Sequence, residues 1–224
     1  VPASRALDRA ALELGGWSGT DSEDPPLPAP PPHSSRSERT IAIQGKSQSD
    51  IAYGFIAIRR LDPRYYGYWV MNNILGQFGL GGRIADNIRE RQGMAYYAYS
   101  TLDPSIGEGP LLIRAGVDPA NVERAIAAID LEAGTLGSEG PTREELAQSQ
   151  QYLIGSIPRM LETNAGIASF LQSVEQFGLG LDYDRELPKH LRAVTLDEVR
   201  AAAAELLHPD RASVAVAGPP ASAA

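Results

Sequence analysis

Arg83-Ile-Ala-Asp-Asn-Ile-Arg89-Glu-Arg-Gln-Gly93-Met-Ala-Tyr96 holds the transition that decides the fold of this chain. Charged and amide side chains alternate with Ile84, Ala85 and Ile88 at helical spacing. Gly93 then supplies the stop, because glycine enters the left-handed conformation that ends a helix at no steric cost. Beyond it, residues 95–102 are rich in tyrosine and read as a strand beginning near Tyr96. A second strand is predicted over 111–117, joined to the first by a turn around Asp103-Pro-Ser and Gly107.

Upstream, Thr40-Ile-Ala-Ile-Gln alternates like a strand, and 51–58 is an apolar run of strand length. Residues 63–77 look helical, with Trp69, Val70 and Ile74 recurring on one face, before a glycine break over 79–82. Residues 4–14 predict a short helix with Ser4 as candidate N-cap and Gly15-Gly16 as the stop. Between them, 18–38 is polar and holds Pro25, Pro26, Pro28, Pro30, Pro31 and Pro32. Such composition favours polyproline II and a semi-rigid spacer, which places the start of the main domain near Arg39. A proline-rich recognition ligand is the alternative use of this composition.

Downstream the chain is helical. Asp118-Pro119 gives an N-cap followed by proline at the first helical position. Thr142 to Glu145 and Thr195 to Glu198 both fit the capping box, and Leu196, Val199, Ala203 and Leu206 share a face of the last helix. Pro158 is expected to kink or break the helix begun at Thr142. A closing strand is predicted over 212–217, after Pro209-Asp210. Two strands, two helices, two strands, several helices and a strand make an α+β domain: a mainly antiparallel sheet with helices packed on one side. Strands that follow one another directly are expected to pair antiparallel.

Composition narrows the function. Twenty Lys and Arg against 28 Asp and Glu give a net charge of −8, a surface that repels phosphate backbones, so nucleic acid is not expected as a partner. With no cysteine, disulfides, thiolate chemistry and sulfur-ligated metals are excluded. No apolar run approaches the ~20 residues of a membrane helix. The first residues, Val1-Pro-Ala-Ser-Arg, show no signal-peptide pattern and no initiator Met, and read as part of something longer.

The three histidines, His33, His190 and His208, are far apart in sequence. A zinc peptidase presents two ligands on one helical turn, and neither His-x-x-Glu-His nor His-Glu-x-x-His occurs, so no catalytic metal site is expected from this chain. Gly155-Ser156 lies within a helix and lacks the nucleophile-elbow glycines. Gly79-Leu-Gly-Gly-Arg83 lacks the Lys-Ser/Thr of a phosphate loop and reads as a turn between helices. Arg89 and Tyr96 remain as candidates. On residue type alone, an arginine on a helix surface is commonly just solvated, and a tyrosine at a strand edge commonly just packs.

The ordered run Gln48-x-Asp50 to Gly54, Arg59-x-x-Asp62-Pro63, Asn73-x-Leu75-Gly76, Gly82-Arg83-Ile84, Ile88-Arg89-Glu90 and Gly93-x-Ala95-Tyr96 resembles the second, zinc-less half of pitrilysin, insulysin and mitochondrial-processing-peptidase-like metallopeptidases. Thr195-x-x-Glu198-Val199, Leu207-x-Pro209 and Val214-x-Val216-Ala217-Gly218 resemble the C-terminal ending of that half, and residues 1–17 its connection to a preceding half. The resemblance covers nearly the whole chain.

It implies the metallopeptidase-half fold of the LuxS and processing-peptidase type. It also implies three segments: residues 1–17 as the last helix of a preceding half, 18–38 as a linker, and 39–224 as the inactive peptidase-like domain. The function implied is peptide binding and active-site completion in a zinc endopeptidase. Zinc is then expected in a homologous half or partner subunit, with no cofactor in this chain. By the same resemblance, Tyr96 is expected to polarise the scissile carbonyl or stabilise its oxyanion, and Arg89 to bind substrate backbone. A structural scaffold or a peptide-binding relative that keeps the fold without the protease role is the alternative. Gly82 departs from the serine common at that position, which is expected to loosen the helix start. Compartment stays open between cytoplasm and cell envelope.

Overall fold

The computed structural model describes residues 2–19, 27, 28, 30 and 34–220. The chain runs α1 (Ala3–Leu14), β1 (Ser37–Ala42), β2 (Ser49–Ile56), α2 (Tyr65–Asn72), α3 (Arg83–Ala85), β3 (Ala95–Leu102), β4 (Pro110–Val117), α4 (Val122–Glu139), α5 (Arg143–Met160), α6 (Asn164–Gln176), α7 (Tyr183–Ala193), α8 (Leu196–Leu206) and β5 (Ser213–Gly218). The α+β reading holds. His33 and most of the proline cluster lie outside the described residues.

The five strands form one sheet in the order β1-β5-β2-β4-β3. Here the expected pairing of β1 with β2 is corrected: β5 lies between them, parallel to β1 and antiparallel to β2. The strand read from the closing residues thus enters the middle of the sheet. Its alternating Val214 and Val216 are buried beside Ile51 and Tyr53 of β2.

Alternation gives the sheet two different faces. Ile51, Tyr53 and Phe55 of β2 and Leu111, Ile113, Ala115 and Val117 of β4 point into the core. Against them packs α4, whose Ala125, Ile129, Ala133 and Leu136 are fully buried; α8 and the packed pair α5 and α7 lie on the same side, as does α2, whose Tyr68, Val70 and Met71 are almost wholly buried. A helix buried on nearly every side is what its apolar composition dictates, rather than the single stripe read from the sequence.

Both capping boxes form, Thr142 with Glu145 and Thr195 with Glu198. Asp118 caps as expected, its carboxylate accepting from Ala120 N at 2.9 Å. Ser4 does not cap α1, which starts one residue earlier behind Pro2. Pro158 sits inside the last turn of α5, so it shapes the end of that helix rather than breaking its middle.

Candidate functional site

The predicted helix over 63–77 becomes π-helical at Asn73–Gln77, and the charged stretch after α3 does the same at Asp86–Arg91. Wide turns of this kind are frequent near functional sites and reset the direction in which later side chains point. Two glycines allow the intervening chain to fold back. A side chain at Gly76 would have its Cβ 2.7 Å from Ser100 N on β3, and one at Gly82 would lie 2.8 Å from Gly76 Cα. Gly82 is therefore a packing requirement. It caps α3 with extended backbone and no side-chain bond.

Arg83 fixes this segment to the rest of the domain. Its Nε and an Nη donate to the two Glu145 carboxylate oxygens at 2.6 and 2.9 Å. The same carboxylate accepts from Thr142 N at 2.8 Å, so the cap of α5 and the anchor of α3 share one acid. Burial opposes ionisation of Glu145, but these donors outweigh it and hold its carboxyl below the ordinary range.

The helix-to-strand turn follows. Gly93 has φ +62°, its N–H returns to Arg89 O, and Met94 N–H reaches back to Ile88 O at 3.0 Å. The next residues enter β3 through a register shift between Ala95 and Tyr97 opposite Val117 and Gly116 of β4. Tyr96 is the extra residue of that bulge and projects into solvent, 79% exposed. Bulges re-aim side chains in this way. The Arg89 side chain is 48% exposed and, among the described residues, has only the adjacent Glu90, at 3.6 Å, as an ion-pair partner. The structure thus leaves both candidate groups accessible on the two sides of the Gly93 turn, and no hydrogen bond joins them.

Beside Tyr96 the sheet shows its uncovered face. Tyr97 lies over Gly116 and donates to Asp50 Oδ1 at 2.8 Å, while Lys46 donates to Oδ2 at 2.6 Å. Those donors, Lys46 first, hold the Asp50 carboxyl below its usual range. Sequence reading did not identify this cluster; the nearby Gln48-x-Asp50 run was its only trace.

The two described histidines lie on other elements. His190 stacks on Tyr66 at 4.8 Å between centroids, and His208 precedes the turn at Pro209. Among the described residues no group of three or more His, Asp or Glu side chains is placed to hold a metal ion. Ser156 Oγ is used within its own helix, donating to Leu153 O at 2.7 Å. A cleft of about 400 Å³ opens between α2, α7 and α8, lined by Tyr66, His190, Glu198 and Glu205 among others, away from Arg89 and Tyr96. Its charged walls are already paired, Glu205 with Arg64 and Glu198 with Thr195. No helix among the described residues is long and apolar enough to cross a membrane.

Comparison with known proteins agrees with this fold. The peptidase M16 inactive domain profile matches residues 1–153. An uncharacterized zinc protease of Streptomyces coelicolor is 27% identical over 94% of this chain and 46% of its own length. One from Bacillus subtilis is 28% identical over 78% and 42%. A probable inactive metalloprotease of Bacillus subtilis is 24% identical over 51% of this chain and 26% of its own length. Among solved structures, a peptidase M16 inactive domain from Pseudomonas fluorescens superposes with a TM-score of 0.76 at 26% identity, over 99% of this chain and 52% of that one. A protease from Helicobacter pylori gives 0.80 at 14% identity, over 98% and 53%. The chain spans about half the length of the curated relatives it matches. It belongs to the peptidase M16 inactive domain family.

Proposed function

We propose that this domain is the substrate-holding half of a zinc endopeptidase whose metal lies in a homologous half or subunit. The observation that carries the reading is the pair of accessible donors around Gly93: a phenol raised out of the sheet by a bulge, and a half-exposed guanidinium that pairs with the neighbouring Glu90. A peptide laid against this surface meets two hydrogen-bond donors. Tyr96 donates to the carbonyl oxygen as it gains negative charge, and Arg89 holds a backbone carbonyl. The zinc supplies activated water from the other half.

In this reading α1 is the last helix of the preceding half and 18–38 is the linker to the domain proper. It is supported by α1 itself, which buries no residue and leaves Leu7, Leu12 and Leu14 exposed, with Trp17 exposed just beyond its end.

The test is turnover of a fluorogenic peptide with the zinc-bearing half supplied. Tyr96→Phe removes one hydroxyl from an exposed ring, so folding is unchanged while kcat falls ~10²–10³-fold. Arg89→Ala raises KM as well. Near-wild-type kinetics for both variants favours the second reading, a scaffold without a protease role, toward which the likeness to a probable inactive metalloprotease points.

A further inference from the structure

The face of the sheet turned away from the helices carries a charge pattern opposite to that of the chain. Cross-strand partners place Arg39 of β1, Ala215 of β5, Ala52 of β2, Arg114 of β4 and Tyr99 of β3 in one row. Neighbours across a ladder share a face, and Ala52 and Ala215 alternate with the buried Ile51, Tyr53, Val214 and Val216, so the row faces outward. Arg39 is exposed and Arg114 half-buried, and among the described residues neither has an ion-pair or hydrogen-bond partner. The acid on this face, Asp50, is already matched by Lys46 and Tyr97. Two uncompensated cations therefore stand on the open sheet of a protein whose net charge is −8.

We infer that this face takes an extended acidic polypeptide segment, with Arg39 and Arg114 as specificity-determining residues that each receive a carboxylate. This deepens, and rests on, the reading of the domain as a peptide-holding half. The spacing suits that occupant. Three strand separations put the two arginine Cα atoms about 14 Å apart, and an extended peptide advances about 14 Å over four residues. Carboxylates at positions i and i+4 therefore point to the same side and reach both guanidinium groups. Between the arginines, Ala52 and Ala215 have no side chain beyond Cβ, so a peptide backbone can lie close to the sheet. The pairing is charge-assisted and bidentate in kind, the geometry for which a guanidinium is suited.

Fluorescence anisotropy tests this on the chain as described by its full sequence, with a labelled dodecapeptide of Ser and Thr carrying Glu at i and i+4, and with the same peptide carrying Gln. The Glu peptide is expected to bind about tenfold tighter at low ionic strength, an advantage that high salt removes. Arg39→Gln and Arg114→Gln should each weaken the Glu peptide roughly three- to five-fold and leave the Gln peptide unchanged, since a partly exposed pair contributes that much. Arg→Lys at either position should keep only part of the preference, because the charge stays while the bidentate fork is lost, with thermal melting confirming the fold. Equal binding of Glu and Gln peptides overturns the acidic preference while leaving peptide holding intact. Binding of neither peptide overturns both. A dimer in sedimentation that either Gln variant dissociates shows the face to be an interface between copies, which also overturns it.

Discussion

The phenol of Tyr97, on the edge strand β3, crosses over Gly116 of β4 to donate to the carboxylate of Asp50 on β2, 2.8 Å away. Three strands are joined on the open face by one side chain, and the bond requires that Gly116 have no side chain. A Cβ there would lie 2.4 Å from the Tyr97 ring.

Burial and the bond to Asp50 together push the Tyr97 phenol up to about 12 from its ordinary 10.0. A raised phenol pKa means that the folded state holds this proton more tightly. Its contribution is full below pH 10 and is lost as pH rises through 12. Ultraviolet titration should show two tyrosines ionising near 12, Tyr65 and Tyr97, and only one of them in Tyr97→Phe. In Gly116→Ala the ring can swing into solvent, so Tyr97 should titrate closer to 10 while stability falls by only about 1 kcal/mol or less. An unchanged titration curve in Gly116→Ala would show that the ring has room to spare.

Gly82 provides a sharper contest between two effects. A serine there could cap α3, which ordinarily stabilises by about 1 kcal/mol. Its Cβ would also lie 2.8 Å from the Cα and 3.2 Å from the C and N of Gly76, all backbone atoms that cannot turn aside. The clash should win, and Gly82→Ser is expected to lose roughly 1–3 kcal/mol in denaturant unfolding. A serine variant more stable than the parent would mean that this turn relaxes freely.

What the sequence disclosed follows the range of the forces involved. The strands at 51–58 and 111–117 and both capping boxes are local patterns, written in neighbouring residues, and they form where expected. The insertion of β5 between β1 and β2 depends on pairing Arg39 with Ala215 across the whole domain, for which no local pattern exists. The same is true of Arg36, read as part of the spacer, whose guanidinium donates to Asp130 Oδ1 at 2.7 Å while Tyr53 donates to the same oxygen at 2.8 Å. The π-helical turns left no trace either, and the close packing of Gly76 on β3 and of Gly82 on Gly76 beside them is likewise a tertiary contact with no local pattern. Arg89 and Tyr96 were legible as residues. The exposure of Tyr96 was not, because it comes from a bulge set by the partner strand.

Arg60 is 9% exposed and has no carboxylate beside it among the described residues. Its guanidinium lies 3.9 Å from the centroid of the Tyr65 ring and donates to Tyr183 Oη at 2.8 Å. Burying a cation against aromatic faces is favourable only while that geometry lasts. Arg60→Met should cost about 2–4 kcal/mol in chemical denaturation. Arg60→Lys should recover less than half of it, because an ammonium has no planar face to stack. Full rescue by lysine would reduce the site to simple charge.

The Arg83–Glu145 pair makes the candidate site sensitive to acid. Glu145 has an ordinary pKa of 4.5 and is held below it in the fold. The folded state therefore binds this proton more weakly than the unfolded chain. The stability it contributes is complete above pH 4.5 and disappears as pH falls through the lower folded value. Arg83 remains charged throughout, so protonation removes the negative charge that both of its bonds and the Thr142 cap share, and turns one of the two acceptor oxygens into a donor. Glu145→Gln keeps the shape and one acceptor but not the charge. It should cost about 1–3 kcal/mol at neutral pH and flatten the acid limb of the stability curve. Because the pair anchors the turn that presents Arg89 and Tyr96, hydrogen exchange at Ile88 and Met94 should quicken in the variant before the central strands respond. Exchange that rises equally in β2 and β4 would show the pair supporting the whole domain rather than this segment.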